Sequence, residues 1–163
     1  MHPMSSVADE RLTVMGLLAE TWAALTTHTS AHLASFGLAP AEFEVCLRLA
    51  RSPEGMLRMS ALAAQTTLSS SGVTRVVDRL VERGLVVRRD CPGDRRATNA
   101  VLSDAGRDLL ARLLPGHLDL LQRWLIDPLS ADDDPRGEQM ASFEAGLRAV
   151  RDHCAPCSTA GIT

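Results

Sequence analysis

One segment, residues 60–102, most constrains how this chain can fold. Its first half predicts two short helices separated by a break, over residues 61–66 and from about residue 70 to residue 83. A serine hydroxyl at a helix start can accept a hydrogen bond from an otherwise unpaired amide. The expected caps are Ser60 for the first helix, then Ser69 or Ser70 for the second.

The second predicted helix has two chemically different faces. Its apolar side chains recur at intervals of three and four residues and form one inward stripe: Val73, Val76, Val77 and Leu80. The opposite face is polar and carries Ser71, Thr74, Arg75, Asp78, Arg79 and Glu82. Gly84 is expected to end this helix in a left-handed conformation. The helix should therefore pack on one side and leave the other side for a partner.

Two β-strands are expected directly after this helix, at residues 85–89 and 98–102. Both are rich in β-branched residues, and Pro92-Gly93 between them favours a turn. A third short strand is expected beside them at residues 57–59. Two helices followed by a hairpin form a winged helix–turn–helix. Its second helix can enter a major groove, and a hairpin tipped with arginines can reach an adjacent minor groove.

Local charge favours a nucleic-acid partner, although the 163-residue chain has a formal net charge of −3. Residues 70–97 carry seven arginines and four acidic residues, a local charge of +3 that leaves −6 for the remainder. Phosphate contact depends on the charge of one face, not on the total. All 17 basic residues are arginine, which suits bidentate contacts to guanine or phosphate. A GC-rich genome is the alternative explanation for this composition.

The helix predicted over about residues 7–35 is too long for a small domain to cover alone. Its apolar side chains share one face: Met15, Leu18, Trp22, Leu25, Leu33 and Phe36, with Thr29 among them. Gly37 is expected to end it, and Pro40 to start a helix that reaches residue 51. The residues expected to point inward from that helix are Phe43, Cys46, Leu47 and Ala50.

Further helices are predicted after the hairpin. The first is leucine-rich, covers about residues 105–126 and is capped by Ser103 or Asp104. Pro115 is expected to kink or split it, and Asp127-Pro128 to end it. The last helix should start within residues 130–134, whose three aspartates favour the positive end of a helix dipole. Its regular part covers residues 139–154, with one apolar face: Met140, Phe143, Leu147 and Val150.

The apolar faces at both ends of the chain indicate a homodimer. We expect a single domain, residues 1–163, that is mainly α with a small β-wing. The winged helix covers residues 38–103, the dimerisation helices residues 7–36 and 104–154, and a flexible tail residues 155–163. A two-fold dimer presents two recognition helices, so its DNA site should be a pseudo-palindrome with half-sites about 34–36 Å apart.

Short motifs between residues 62 and 106 follow one another in a fixed order: Leu62-Ala63, Leu68-Ser69, Val73-Thr74-Arg75, Asp78-Arg79-Leu80, Arg83-Gly84-Leu85-Val86, Asp94-Arg95-Arg96 and Leu102-Ser103-Asp104-Ala105-Gly106. In this order they resemble the MarR family of bacterial transcriptional regulators. The resemblance implies a DNA-binding regulator that pairs through its N- and C-terminal helices. We expect a repressor that a small molecule releases from its operator.

The expected DNA contacts on the second helix occupy its exposed early part, where base edges and phosphates would be met: Ser70, Ser71, Thr74 and Arg75, with Arg79 behind them. The alternative for Arg79 is an ion pair with Asp78 or Glu82 on a solvated face. At the hairpin tip, the resemblance implies that Arg96 reaches the minor groove and that Asp94 steadies it. Arg95 is expected to contact phosphate.

The resemblance also implies an effector, commonly an anionic phenol, in a crevice between the dimer helices and the winged helix. The residues that could line such a crevice are Trp22, His32, Phe36, Phe43 and Cys46. The alternative is ordinary core packing, since aromatic residues at helical spacing usually belong to a core.

Thiol-based redox sensing is an alternative function. Cys91 begins the hairpin tip among arginines, and nearby positive charge lowers the pKa of a thiol. Cys154 and Cys157 have Cys-x-x-Cys spacing without a second ligand pair, so a free, flexible pair is expected. His28 and His32 have a spacing that can hold a metal ion but lack an accompanying acid, so no metal and no cofactor are expected.

An enzyme is not expected, because we find no nucleophile–base spacing, no phosphate-binding glycine loop and no paired metal motif. A winged helix used only for dimerisation or protein contact is a further alternative. The arginine tip and the serine- and threonine-bearing helix argue against it. No apolar run approaches the ~20 residues of a membrane span, and residues 1–11 lack a secretory signal, so a cytoplasmic location is expected.

Overall fold

The structure is a computed structural model that describes residues 9–91, 94–130 and 137–154, and only the backbone at residues 94–96. The helices are α1 (Glu10–Ser35), α2 (Pro40–Ala50), α3 (Met59–Gln65), α4 (Ser70–Glu82), α5 (Asp104–Leu121), α6 (Asp127–Leu129) and α7 (Glu138–Cys154). The strands are β1 (Met56–Arg58), β2 (Val86–Cys91) and β3 (Asp94–Leu102). The predicted fold class, mainly helical with a small β-wing, is confirmed. The chain divides near residue 118 into two compact units.

Helix α1 begins at Glu10, later than the predicted start at about residue 7, and ends at Ser35 as predicted, whereas α2 agrees with its prediction to within one residue. Helix α1 starts after Asp9, whose carboxylate accepts a hydrogen bond from the Arg11 amide at 2.9 Å. It ends before Gly37, whose φ is +70°, and α2 starts at Pro40. Proline is favoured in the first turn of a helix because the amide that it lacks would have no helical partner.

The inward face predicted for α2 is wrong in part. Cys46 is buried as predicted, but Phe43 and Leu47 are only half-buried and Ala50 is exposed. The buried positions are Glu42, Val45, Cys46 and Leu49. The buried face thus lies one residue earlier than predicted, because α2 is apolar on several sides and Glu42 turns inward to pair with arginines of α4.

The helix–turn–helix is formed by α3 and α4. Ser60 lies inside α3, so the predicted cap there is wrong: β1 runs directly into the helix, and Arg58 occupies the cap position without capping the helix through its side chain. Ser69 caps α4 as predicted, since its hydroxyl accepts a hydrogen bond from the Gly72 amide at 3.1 Å. Gly84, with φ +69°, follows the end of α4.

The three strands form one antiparallel sheet in the order β1-β3-β2. The predicted hairpin is confirmed, and its pairing shifts between Asp90 and Cys91. The predicted third strand is also confirmed, and β1 pairs with β3 through Met56 and Val101. The turn residues Pro92 and Gly93 lie outside the described residues.

The hydrophobic core lies among α2, α3, α4, the sheet and the start of α5. Its largest fully buried side chains include Leu49, Leu62, Leu80 and Leu113, with Val45, Val73, Val77 and Val86. Burying one such side chain contributes about 1.5–3 kcal/mol. The C-terminal end of α1 joins this core through Leu33.

Helix α5 starts as predicted and continues further than predicted. Ser103 caps it, because its hydroxyl accepts a hydrogen bond from the Gly106 amide at 3.0 Å. Pro115 lies inside α5 without splitting it, and a π-helical turn, Gln122–Ile126, follows. The predicted end at Asp127-Pro128 is wrong, since α6 carries the helix to Leu129.

Exposed apolar side chains concentrate in the helices at the two ends of the chain. On α1 they are Leu12, Val14, Met15, Leu17, Leu18 and Trp22, and on α7 they are Leu147 and Val150. The regular part of α7 was predicted correctly. The expected helix start among residues 131–134, the expected tail and residues 1–8 lie outside the described residues. In the described part, no helix is long and apolar enough to cross a membrane.

Candidate nucleic-acid interface

Helix α4 presents a polar surface to solvent because its apolar stripe is fully used by the core. Val73, Val77 and Leu80 have no exposed surface. On the other side, the four residues predicted to contact DNA from the early part of this helix are all exposed: Ser70, Ser71, Thr74 and Arg75.

Arg75 is available for an outside partner. Its guanidinium Nε lies 3.4 Å from the carbonyl oxygen of Ser71, and no described acidic residue forms an ion pair with it. The Thr74 hydroxyl donates to the Ser70 carbonyl at 3.0 Å, which leaves its oxygen able to accept a hydrogen bond. The surface therefore offers one uncommitted cation beside small hydroxyl groups.

Arg79 and Arg83 are tied to a buried carboxylate. Arg79 donates through Nε to Oε1 of Glu42 at 3.1 Å, and Arg83 donates through Nη1 to Oε2 at 3.1 Å. Glu42 lies on α2 and is only 5% exposed. The alternative interpretation of Arg79 as an ion-paired residue holds, but its partner is Glu42 and not a neighbour on α4.

The ionised form of Glu42 is favoured in this setting. Burial alone would raise the pKa of its carboxyl, but the amide of Ala39, which donates to Oε2 at 3.0 Å, and the two arginines outweigh that effect. The pKa of Glu42 is therefore lowered from its ordinary value. The carboxylate remains a charged anchor for α4 at neutral pH.

A second ion pair joins α4 to the hairpin. Arg88 of β2 approaches Asp78 of α4 at 2.8 Å between Nη2 and Oδ1. Both side chains are more than a third exposed, so the pair is worth about 0–1 kcal/mol. Both Asp78 and Arg88 are nevertheless engaged in this ion pair.

The wing is formed by β2 and β3, and its distal end lies where Cys91 pairs with Asp94. The side chains of Asp94, Arg95 and Arg96 lie outside the described residues, so their predicted roles stay predictions. Their backbone begins β3. Arg89 of β2 is exposed.

Cys91 is buried within the hairpin. Its thiol donates a hydrogen bond to Oδ1 of Asn99 at 3.1 Å, and Asn99 is itself buried. This burial limits the access of an oxidant to the sulfur. Redox sensing by Cys91 stays a prediction, and Cys157 lies outside the described residues.

Three of the five residues predicted to line a crevice belong to one aromatic cluster with His117: Phe43 and His32 contact His117, and Phe36 contacts His32. The ring of Phe43 lies 4.7 Å from that of His117, and His32 lies 5.9 Å from His117 and 5.2 Å from Phe36, measured between centroids. Trp22 is 72% exposed and Cys46 is in the core. Burial and the nearby Glu42 carboxylate raise the pKa of Cys46 to about 12.

His117 was not predicted from the sequence. It is buried, and its Nδ1 has no hydrogen-bond partner within the described part of the chain. Burial, and then the nearby His32, lower the pKa of its imidazole. The sequence feature that could have identified it is a histidine at an inward position of the leucine-rich helix α5. Among the described residues, no group of histidine, cysteine or acidic side chains could hold a metal ion.

Comparison with known proteins gives consistent matches. A family model described as MarR family matches residues 36–97. The structure of Sco3205, a MarR family transcriptional regulator from Streptomyces coelicolor in complex with DNA, is 31% identical. That match covers 96% of this chain and 94% of that chain, with a TM-score of 0.84.

Two further proteins are similar over most of the chain. AbsC, a MarR family transcriptional regulator from Streptomyces coelicolor, is 28% identical, covers 90% of this chain and 95% of its own, and has a TM-score of 0.80. The HTH-type transcriptional regulator MhqR of Bacillus subtilis is 27% identical over 147 residues, which are 90% of this chain and 99% of that protein.

Proposed function

Because this chain belongs to the MarR family of transcriptional regulators, we propose that it is a homodimeric repressor that binds a pseudo-palindromic operator in double-stranded DNA. The observation that carries the proposal is the exposed face of α4, where an uncommitted arginine, Arg75, lies beside Ser71 and Thr74. The similar structure of Sco3205 was solved in complex with DNA, which also supports a DNA-binding role for this chain.

In the proposed complex, α4 enters the major groove and the wing lies over the adjacent minor groove. Arg75 meets a base edge or a nearby phosphate, and the hydroxyl groups of Ser70, Ser71 and Thr74 serve the same surface. Arg96 enters the minor groove, and Arg95 contacts phosphate.

The proposed dimer uses the apolar faces of α1 and α7. Trp22 and Met15 on α1, and Val150 on α7, each expose more than half of their surface. Exposed apolar side chains in such numbers mark an interaction surface. A two-fold dimer would set the two copies of α4 about 34–36 Å apart, one turn of DNA.

The proposed effector site is the aromatic cluster of His32, Phe36, Phe43 and His117. The unpartnered Nδ1 of His117 supports it, since a phenolic or carboxylate oxygen could supply the missing hydrogen bond. The effector would act by favouring a conformation in which the two copies of α4 no longer match the operator spacing.

The test begins with fragments of the protein's own genome selected for binding, followed by gel-shift titration of one selected fragment. Arg96→Ala and Arg75→Ala should each weaken binding by about 10- to 100-fold while the oligomeric state stays that of the wild type. Arg51→Ala is the matched control, because it removes an exposed arginine at the end of α2. Unchanged affinity in both variants would contradict the proposed interface, and the absence of any selected fragment would favour a protein-contact module.

A further inference from the structure

The carboxylate of Glu42 spans the last turn of α4. Its two oxygens are divided between Arg79 and Arg83, each at 3.1 Å, and Oε2 also accepts the Ala39 amide at 3.0 Å. Arg79 and Arg83 are four residues apart, so they are neighbours on one side of the helix. One buried carboxylate therefore fixes the C-terminal turn of α4 to the start of α2.

Their ion pairs with Glu42 draw these two arginines away from Arg75, toward the flank of α4 that meets α2. At about 100° per residue, Arg79 lies about 40° and Arg83 about 80° round the helix from Arg75, and the ion pairs with Glu42 hold both against α2. Asp78 lies about 60° from Arg75 in the other direction and pairs with Arg88 of the wing. Ion pairs thus engage the charged side chains on either side of Arg75 and leave Arg75 itself without an acidic partner among the described residues.

We propose that Glu42 is a positioning residue for DNA recognition: it keeps Arg79 and Arg83 engaged within the protein, so that Arg75 and not Arg79 is the cation that α4 offers to DNA. This inference rests on the proposed function. It reassigns Arg79, which the sequence pattern alone places among the DNA contacts.

The physical reason is the cost of exchanging partners. Moving Arg79 to a phosphate would take a hydrogen-bond donor from a carboxylate that is almost fully buried, and a buried charged group pays heavily for a missing partner. The new ion pair with phosphate would lie at the surface, where salt weakens it. Arg75 has no such commitment, because its Nε contacts only a backbone carbonyl at 3.4 Å.

The salt dependence of DNA affinity distinguishes the two roles, since each phosphate that a cation neutralises contributes about 0.9 to the slope of log affinity against log salt concentration. The probes are a duplex of random sequence and one fragment selected from the genome. Wild type is compared with Arg79→Gln, Arg83→Gln and Glu42→Gln, and Arg51→Gln is the control for the removal of an exposed arginine.

We expect Arg79→Gln and Arg83→Gln to keep the wild-type slope on the random duplex. Glu42→Gln frees two guanidinium groups, so it should steepen that slope and bind the random duplex more tightly. Its preference for the selected fragment over the random duplex should fall by about tenfold. A merely structural role for Glu42 would weaken binding to both duplexes together.

A slope that is shallower by about 0.9 in Arg79→Gln than in wild type would overturn the inference. So would a folded Glu42→Gln protein with wild-type slope and preference. If Glu42→Gln does not fold, as judged by circular dichroism, the slope of Arg79→Gln decides. Wild-type protein that binds neither duplex would refute the proposed function itself, whereas wild-type binding with a reduced Arg79→Gln slope refutes this inference alone.

Discussion

Helix α4 and the first half of α1 treat their apolar side chains in opposite ways. In α4, Val73, Val77 and Leu80 are completely buried by the same chain, whereas Met15 and Trp22 of α1 are 62% and 72% exposed. Both helices carry apolar residues at helical spacing. The difference teaches that such spacing determines that a helix forms and which side is apolar, but not whether the covering surface belongs to the same molecule.

The largest expected effect tests this difference directly. Leu80→Ala should lower the free energy of unfolding by about 2–5 kcal/mol, because it leaves a cavity among fully buried side chains. Trp22→Gln should instead weaken self-association, so its effect on the unfolding midpoint should change with protein concentration. Urea denaturation at several concentrations, with analytical ultracentrifugation, measures both. A destabilisation by Trp22→Gln that does not depend on concentration would show that α1 is covered within one chain.

A smaller effect is expected where α5 meets the wing. A Cβ on Gly106 would lie 2.7 Å from Cδ1 of Leu102 and would overlap the carbonyl oxygen of Leu85. Gly106→Ala should therefore destabilise the chain by about 1–3 kcal/mol. Gly16→Ala in α1 is the matched control, because nothing lies within 4 Å of its added carbon. There the better helix propensity of alanine should stabilise by about 1 kcal/mol; equal destabilisation at both positions would contradict this account.

The smallest effect concerns pH. The pKa of Glu42 is lowered in the folded chain, so the unfolded chain takes up a proton more readily. Its contribution to stability is fully present above the ordinary carboxyl pKa and is lost as the pH falls from there through the lowered pKa. Glu42→Gln should therefore weaken the dependence of the unfolding free energy on pH in the acid range, and Glu44→Gln, at a partly exposed site on the same helix, is the control for the removal of a carboxyl group. If the unfolding free energy falls with decreasing pH equally in wild type and Glu42→Gln, the stabilising role of the ionised Glu42 carboxylate is refuted.

The boundaries of α4 could be predicted because local chemistry determines them. Ser69 supplies the cap, and Gly84 adopts the positive φ that most other residues avoid. The apolar stripe between them can face the core in only one rotational orientation of the helix. The exposed positions of Thr74 and Arg75 follow from that stripe, which is why this half of the candidate interface was predicted from the sequence.

The rest depended on contacts between residues distant in sequence. Glu42 looks like a solvent-facing acid until the fold brings Arg79 and Arg83 to it from 37 and 41 positions away. His117 likewise has no local sequence signal in its leucine-rich helix, because its environment forms only when α1 and α2 bring His32 and Phe43 to its ring. Ser60 was mistaken for a cap because the pairing of β1 with β3, which sets the start of α3, is not visible in the local sequence.

Ser103 joins the end of one helix to the start of another through a single oxygen atom. Its hydroxyl donates to the carbonyl of Gly84 at 2.7 Å and accepts from the amide of Gly106 at 3.0 Å. These two hydrogen bonds restrict the movement of the two helices relative to each other, since Gly106 already lies against the backbone of Leu85. We therefore expect that a tilt of α5 about Ser103 would also move the C-terminal end of α4, so that a rotation of one helix is transmitted to the other.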